Sequence, residues 1–241
     1  MINIIITGLP KSGKSTLLDK ILKPYANKIG FITKEIRNEH GRVGFNIATH
    51  QGVEIRLAHT QLRTPHKVGK FFVDISALQD AVTRVSIFSH EDILYLDEIG
   101  QMQLFSDDFK KLVKKYLDSE NIVVATITLV YEDEFTQSIR ARDDAHIVEI
   151  SEQNHEDKTR FVQELMQKAM KAKKYISSPE RFKRSGSTVT MSSEHGTRSL
   201  IKKQNSWTCD CDFFAQHTIC SHALATRAIF KEQLEYKKEA R

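Results

Sequence analysis

The segment GLPKSGKS, from Gly8 to Ser15, matches the phosphate-binding pattern G-x-x-x-x-G-K-[ST], known as Walker A, at every fixed position. An apolar run rich in isoleucine, residues 3–7, precedes it, and residues 15–22 carry apolar side chains at helical spacing. This motif needs strand, glycine-rich turn and helix in that order, because backbone N–H groups and the helix N-terminus surround the phosphates with positive charge. The sequence therefore predicts a nucleotide-binding loop.

We call residues 8–16 the P-loop. By analogy with such loops, Lys14 is expected to reach the β and γ phosphates and the Ser15 hydroxyl to hold Mg²⁺. The predicted nucleotide-binding residues are Gly8, Leu9, Pro10, Lys11, Ser12, Gly13, Lys14, Ser15 and Thr16. The alternative is an ordinary glycine turn before a helix.

A second acidic motif fits the same chemistry. Residues 93–96 form an apolar strand that ends in Asp97 and Glu98. Asp97 is expected to hold Mg²⁺, directly or through water, and Glu98 to orient and deprotonate the attacking water. By itself this pair also fits a plain strand end, but the upstream P-loop favours the functional interpretation.

Strands that alternate with helices predict an α/β fold with a mainly parallel sheet, and the P-loop with the acidic pair predicts that it is a P-loop NTPase. Residues 28–36, 42–49 and 53–57 form a small antiparallel insertion within it. The predicted domains are the P-loop NTPase domain over 1–174, a linker at 175–180, a small β-β-α module over 181–230 and a basic tail at 231–241.

Composition limits location and partners. Hydrophobic residues make up 40% of the chain and no apolar run approaches membrane-spanning length. The first strand begins almost at Met1, which leaves no room for a signal peptide, so we expect a cytoplasmic protein without membrane contact. Residues 1–170 hold 22 Lys and Arg against 24 Asp and Glu, whereas residues 171–241 hold 14 against 7. This C-terminal excess favours a nucleic acid or another polyanion as partner, or is a solvated basic tail.

The three cysteines, Cys209, Cys211 and Cys220, fall within twelve residues. With His222 they form C-x-C followed by C-x-H, the ligand set of a closed, structural Zn²⁺ site. His217 competes with His222 as the fourth ligand. The alternative is a set of buried, unliganded thiols.

The longer part of the chain resembles a nucleoside-triphosphatase family first known from a thermophile and called cancer-related in humans. The resemblance covers about residues 1–170 and rests on residues 8–15, 30–37, 42–45, 68–73 and 96–106, above all on the Asp-Glu-Ile-Gly-x-Met element at 97–102. It implies a P-loop fold with slow, base-tolerant hydrolysis of nucleoside triphosphates, and kinase-like activity has also been suggested for the family. Three positions depart from the family pattern: Lys11 replaces a frequent glycine, Gln103 a glutamate, and Asn154-His155-Glu156 replaces Asn-Arg-Asp.

Residues 181–230 resemble the SWIM zinc finger, with its C-x-C-x(n)-C-x-H signature. The resemblance implies DNA, RNA or protein partners. Three aromatic side chains are candidates for stacking on bases or for the module's own small core: Trp207, Phe213 and Phe214.

The leading hypothesis is a Mg²⁺-dependent nucleoside triphosphate hydrolase with a zinc finger for nucleic-acid or protein binding. One alternative is a nucleotide or small-molecule kinase, for which a mobile lid is expected at 132–144. A second is a nucleic-acid-binding protein that uses the nucleotide as a switch. The arginine candidates for stabilising phosphate charge are Arg37, Arg42, Arg140 and Arg142. The sequence predicts no particular oligomeric state.

Overall fold

A computed structural model describes residues 2–204 and 206–230. The chain divides into two compact units, one from Ile2 to Arg160 and one from Phe161 onward. The division falls inside a long helix, α5 (His155–Ile176), which therefore contributes residues to both units. The helix extends into the segment that was expected to be a linker at 175–180.

The first unit contains nine strands and four complete helices among its described residues. In chain order they are β1 (Ile2–Gly8), α1 (Lys14–Leu22), β2 (Lys28–Asn38), β3 (Gly41–Thr49), β4 (Glu54–His59), β5 (His66–Val68), β6 (Phe71–Val73), α2 (Ile75–Val85), β7 (Ile93–Ile99), α3 (Asp107–Asp118), β8 (Ile122–Thr128), α4 (Glu134–Arg140) and β9 (Ala145–Glu149).

The strands form one sheet in the order β5-β6-β4-β3-β2-β7-β8-β1-β9. The five strands from β2 to β9 in this order run parallel, and β3, β4, β6 and β5 extend the sheet antiparallel. The expected α/β class is confirmed, with a mixed sheet of four parallel and four antiparallel strand pairs. Strand β2, which was expected within the antiparallel insertion, pairs in parallel with β7 on its other side. The carboxyl ends of parallel strands share one edge, so the P-loop after β1 and the acidic pair of β7 meet there.

The central strands are apolar because both of their faces are covered. Every residue of β1 and β8 is buried, and a hydrophobic core extends from Ile5 through Phe31 and Leu96 to Tyr116. Side-chain caps fix the starts of two helices that pack here. Asp74 accepts hydrogen bonds from the backbone of Ser76 and Ala77 at α2, and Ser106 accepts one from Phe109 at α3.

The second unit contains a four-stranded antiparallel sheet. In order these strands are β10 (Phe182–Ser185), β11 (Thr188–Ser193), β12 (Gly196–Lys203) and β13 (Ser206–Cys209), followed by α6 (Asp212–His217) and α7 (Ser221–Ile229). The described part of the module thus has more elements than the predicted β-β-α unit. The predicted basic tail at 231–241 lies outside the described residues.

None of the helices within residues 2–204 and 206–230 combines the length and apolar character that crossing a membrane requires.

Candidate functional site

The P-loop follows β1 directly and its backbone leaves no space for side chains at two glycines. A Cβ atom on Gly8 would lie 2.5 Å from the carbonyl oxygen of Ile150, and one on Gly13 would lie 2.6 Å from the ring of His155. Gly13 also has a φ of 89°, in the left-handed region that glycine tolerates. The fixed glycines of the motif are therefore required by close packing and by backbone conformation.

Lys14 folds back over this loop. Its Nζ atom donates hydrogen bonds to the carbonyl oxygens of Gly8 and Leu9, at 3.0 and 2.9 Å. Burial lowers the pKa of the Lys14 ammonium, while the carboxylates of Glu98 and Asp97 act in the opposite direction. The ammonium group thus lies within the field of both predicted acidic residues.

Lys11 adopts a φ of 69° within the same loop. This conformation costs an L-residue with a Cβ atom on the order of 1 kcal/mol, and it is the position where the resembling family often has glycine. The departure at Lys11 therefore preserves the loop's shape at an energetic cost.

Asp97 and Glu98 occupy a bulge in β7. The register with β8 pairs Leu96 with Ala125 and Ile99 with Ile127, so two residues on β7 face Thr126 alone. In a regular strand, neighbouring side chains point to opposite faces, and a bulge re-aims them. The bulge therefore changes the directions in which the side chains of Asp97 and Glu98 point at this edge of the sheet.

Two hydroxyl groups bind the Asp97 carboxylate. Thr126 donates a hydrogen bond to Oδ1 from the neighbouring strand, and the Ser15 side chain is hydrogen-bonded to the same carboxyl group. Burial raises the pKa of Asp97, and the bonds from Ser15 and Thr126 and the charge of Lys14 oppose this. A hydroxyl and a carboxylate side by side are the oxygen ligands that Mg²⁺ prefers, so this pair fits the ion.

Glu98 lies in a comparable field. Burial raises the pKa of the Glu98 carboxyl group, and the charge of Asp97 adds to the effect, while Lys14 and Arg42 lower it. A carboxyl group held in this way accepts a proton more readily than an ordinary glutamate, as a general base requires.

The four candidate arginines occupy different surroundings. Arg42 and Arg37 both form ion pairs with Glu35, each at 2.6 Å, and the Arg42 guanidinium lies over the Phe45 ring. Of these two, Arg42 is the one whose charge reaches Glu98.

Arg140 reaches the carboxyl ends of two central strands. Its Nη2 atom donates to the carbonyl oxygen of Thr128, at 3.1 Å, and approaches the Thr7 hydroxyl, at 3.4 Å. Arg142 instead bonds to Asp118, Asp144 and the carbonyl oxygen of Leu117. This location is beside the start of β1, where Asn3 also donates hydrogen bonds to the carbonyl oxygens of Leu117 and Asp144. It is far from the P-loop at the other end of that strand.

The segment expected to form a kinase lid is packed onto the first unit. Asp133 and Thr136 form a reciprocal cap at α4, and Thr136 and Ile139 are buried. Arg140 joins this segment to β8 and β1, and Arg142 joins it to the end of α3.

One further residue of the site, Thr126, carries no recognisable signal in the sequence, and another, His155, is marked there only as part of a departure from the family pattern. Thr126 is one of many β-branched residues in a buried strand, and its role depends on strand order. His155 begins α5 and places Nε2 3.2 Å from the carbonyl oxygen of Gly13. Gln103, another departure from the family pattern, is buried and donates through Nε2 to the Thr33 hydroxyl, at 3.1 Å, so its amide joins the turn after β7 to strand β2.

The second unit brings Cys209, Cys211, Cys220 and His222 together, with all four candidate ligand atoms within 4.8 Å of one another. The Nδ1 atom of His222 lies 3.6 Å from Sγ of Cys209 and 3.8 Å from Sγ of Cys220. A tetrahedral zinc ion, with bonds of about 2.3 Å to sulfur and about 2.0 Å to nitrogen, separates such ligands by about 3.6 Å. The donor set and its spacing therefore fit zinc.

The electrostatics of the thiols agree with this. A hydrogen bond with Cys220 lowers the pKa of the Cys209 thiol to about 4. The same hydrogen bond, together with burial, raises the pKa of the Cys220 thiol. Burial also raises the pKa of the Cys211 thiol. The raised pKa values of Cys211 and Cys220 disfavour three thiolates at this spacing unless a bound cation offsets their repulsion.

Neighbouring aromatic residues complete the module. His217 lies outside the cluster, with its ring against Phe161 and Phe213, so His222 is the histidine beside the cysteines. Trp207 is 7% exposed and packs against Phe230, as expected of a small core. The ammonium of Lys168 lies over the Phe213 ring, 4.4 Å from its centroid.

Comparison with known proteins gives consistent results for the longer part of the chain. A model of the NTPase family matches residues 3–175. The nucleoside-triphosphatase THEP1 of Thermotoga sp. (strain RQ2) is 41% identical over 153 residues, which cover 63% of this chain and 87% of that protein. The Cys–His cluster lies beyond the matched region.

Two solved structures are similar. The crystal structure of THEP1 from Aquifex aeolicus has a TM-score of 0.58 at 30% identity and covers 68% of this chain and 98% of its own. The solution structure of a human cancer-related nucleoside triphosphatase has a TM-score of 0.56 at 26% identity, covering 69% and 98%.

Proposed function

Because the chain belongs to the NTPase family, we propose that it is a nucleoside-triphosphatase that hydrolyses ATP, GTP and other nucleoside triphosphates with Mg²⁺. In this reaction a water oxygen forms a bond to the γ-phosphorus, and the bond between the γ-phosphorus and the bridging oxygen breaks. The bridging oxygen leaves with the nucleoside diphosphate. The water proton passes to a base, and the products are a nucleoside diphosphate and phosphate.

The residues of the site divide this work. Backbone N–H groups of the P-loop and the Lys14 ammonium bind the phosphates, and Ser15 and Asp97 hold the metal. When bound, Mg²⁺ neutralises charge that develops on the phosphate oxygens. Glu98 orients the water and accepts its proton, aided by a pKa that burial raises.

The observation that carries this proposal is the meeting of two independent sequence motifs, the P-loop and the acidic pair Asp97-Glu98, at one sheet edge. The charge of Lys14 acts on both Asp97 and Glu98, and Ser15 is bonded to Asp97. These residues come from α1 and β7, which are separated by about eighty positions in the sequence, and the fold alone brings them together.

Phosphate release from ATP and GTP tests the proposal. A Glu98→Gln variant keeps the shape of the side chain but cannot accept a proton, so kcat should fall by at least about a hundredfold. Lys14→Ala should abolish nucleotide binding. Wild-type turnover in the Glu98→Gln protein, or undiminished ATP affinity in Lys14→Ala, contradicts the assigned roles.

The same geometry favours hydrolysis over the kinase alternative. Transfer to an acceptor other than water needs a closing lid that excludes water. Residues 132–144 are instead held by the cap of α4, by the bond of Arg140 to Thr128 of β8 and by the bond of Arg142 to Asp118 of α3. A product assay with nucleosides as acceptors distinguishes the two, because only a kinase forms nucleoside monophosphate from them.

We also propose that the C-terminal module is a SWIM-type zinc finger in which Zn²⁺ is structural. The support is the set of three cysteine sulfurs and one histidine nitrogen, at a spacing that fits tetrahedral zinc. Within the part of the chain that the structure describes, no fifth candidate ligand belongs to this cluster. The expected DNA, RNA or protein partner of this module stays a prediction. Zinc content of the purified protein, expected at one ion per chain and lost in Cys211→Ser, tests the metal assignment.

A further inference from the structure

His155 is in contact with the P-loop. Its Nε2 atom lies 3.2 Å from the carbonyl oxygen of Gly13, and its Cδ2 and Nε2 atoms leave no room for a Cβ at Gly13. Both contacts are made by one edge of the imidazole. The residue is half-buried, so part of it is accessible to solvent.

The backbone around His155 is held in place. The buried Thr159 hydroxyl donates to the carbonyl oxygen of His155 at 2.7 Å, and Asn154 accepts a hydrogen bond from the backbone of Ser151 at 2.8 Å. Ile150, at the start of this loop, is bonded to Thr7 of β1. The imidazole is thus preorganised beside the loop, which lowers the entropic cost of binding a ligand.

The order of strands determines which end of a triphosphate His155 meets. Asp97 and Glu98 lie on β7, and β8 and β1 separate β7 from β9. The γ-phosphate and the attacking water belong on the β7 side, next to Glu98. The opposite end of the ligand therefore points to the β9 side, where His155 follows β9 in the chain.

We propose that the nucleobase of the bound triphosphate stacks on the imidazole of His155. This inference rests on the proposed nucleoside-triphosphatase function. Because the Nε2 edge bonds to Gly13, the ring offers its face, and every base presents a π-face that can stack there. A contact of this kind adds affinity without selecting one base.

The experiment compares two ligands that differ by the nucleoside. Binding of Mg²⁺–ATP and of Mg²⁺–tripolyphosphate is measured by calorimetry for the wild-type chain and for His155→Ala. Stacking on an aromatic side chain is worth roughly a tenfold change in affinity, so His155→Ala should bind ATP about tenfold more weakly and tripolyphosphate equally well. GTP should show the same loss as ATP.

Two other variants complete the design. His155→Phe keeps an aromatic face, so its ATP affinity should stay within about threefold of wild type. His90→Ala is the matched control, because His90 is exposed, pairs with Glu91 and precedes β7 at the opposite end of the strands. It should bind both ligands like the wild type.

Three outcomes overturn the inference. The first is an unchanged ATP affinity in His155→Ala. The second is an equal loss of affinity for ATP and for tripolyphosphate in that variant, which would mean that His155 supports the shape of the P-loop. The third is a His155→Phe variant that binds ATP as weakly as His155→Ala does. A wild-type chain that binds neither ligand refutes the proposed function instead.

Discussion

The hydroxyl of Thr126 donates a hydrogen bond to Asp97 across the gap between β8 and β7. The contact places a neutral donor against a buried carboxylate that Lys14 also faces. It links the predicted metal ligand to the strand that separates the two motifs of the site.

Replacing Thr126 should therefore weaken the metal site. Thr126→Val keeps the shape but leaves the Asp97 oxygen without its donor, which costs about 1–3 kcal/mol when the group is buried. Loss of a group that orients a metal ligand typically reduces metal affinity about tenfold to a hundredfold. Titration of phosphate release with Mg²⁺ measures this, and Thr126→Ser should behave like the wild type. A valine variant with unchanged Mg²⁺ dependence refutes the role.

Lys11→Gly should stabilise the protein. Lys11 adopts a φ of 69°, which glycine adopts freely, so the substitution removes a penalty on the order of 1 kcal/mol, partly offset by the greater backbone freedom of glycine when unfolded. We expect a net gain below about 1 kcal/mol in the free energy of unfolding, measured in urea. Lys23→Gly in the turn after α1, where φ is −53°, is the control and should destabilise. A loss of stability in Lys11→Gly contradicts the prediction.

Asp74 should make α2 stability dependent on pH. Hydrogen bonds from Ser76 and Ala77 lower the pKa of Asp74 below its ordinary value of 3.8. The ionised cap therefore contributes stability above pH 3.8, and this contribution is lost as pH falls through the folded-state pKa. Asp74→Ala should cost about 0.5–2 kcal/mol at pH 7, with a smaller difference from wild type at pH 3. A difference in urea midpoint that grows on acidification contradicts this assignment.

Removing zinc should unfold the C-terminal module and leave hydrolysis intact. Trp207 is the single tryptophan of the chain and is buried in the module, so tryptophan fluorescence reports on this unit alone. A zinc-selective chelator should shift its emission to longer wavelength, and added Zn²⁺ should reverse the shift. Phosphate release, assayed with excess Mg²⁺, should be retained. Unchanged emission in a protein shown to have lost its metal means that zinc does not support the fold.

Local patterns predicted much of the first unit. Strands β1 and β7 agree with their apolar runs within one or two residues, and Ser106, a residue type that favours helix starts, caps α3. These features depend on neighbouring residues, so the sequence contains them. The short strand β5 carries two polar residues out of three, and β10 carries three out of four, so neither has the alternation that marks a strand.

The parts of the site that escaped prediction depend on distant pairings. Thr126 contacts Asp97 because β8 lies between β7 and β1, and His155 contacts Gly13 because β9 lies on the other side of β1. Strand order is set by the packing of the whole sheet, so neither contact can be predicted from the residues next to Thr126 or His155. The P-loop and the cysteine cluster were predictable because each motif carries its own spacing.

The bulge in β7 has a consequence for anyone who redesigns this protein. A deletion of one residue at positions 97–98 would restore a one-to-one ladder with β8, but it would remove one of the two acids of the site. Sheet regularity and chemical competence are thus opposing goals at this single step of the ladder. Sequence design that selects only for regular strands is therefore expected to remove the activity while it stabilises the fold.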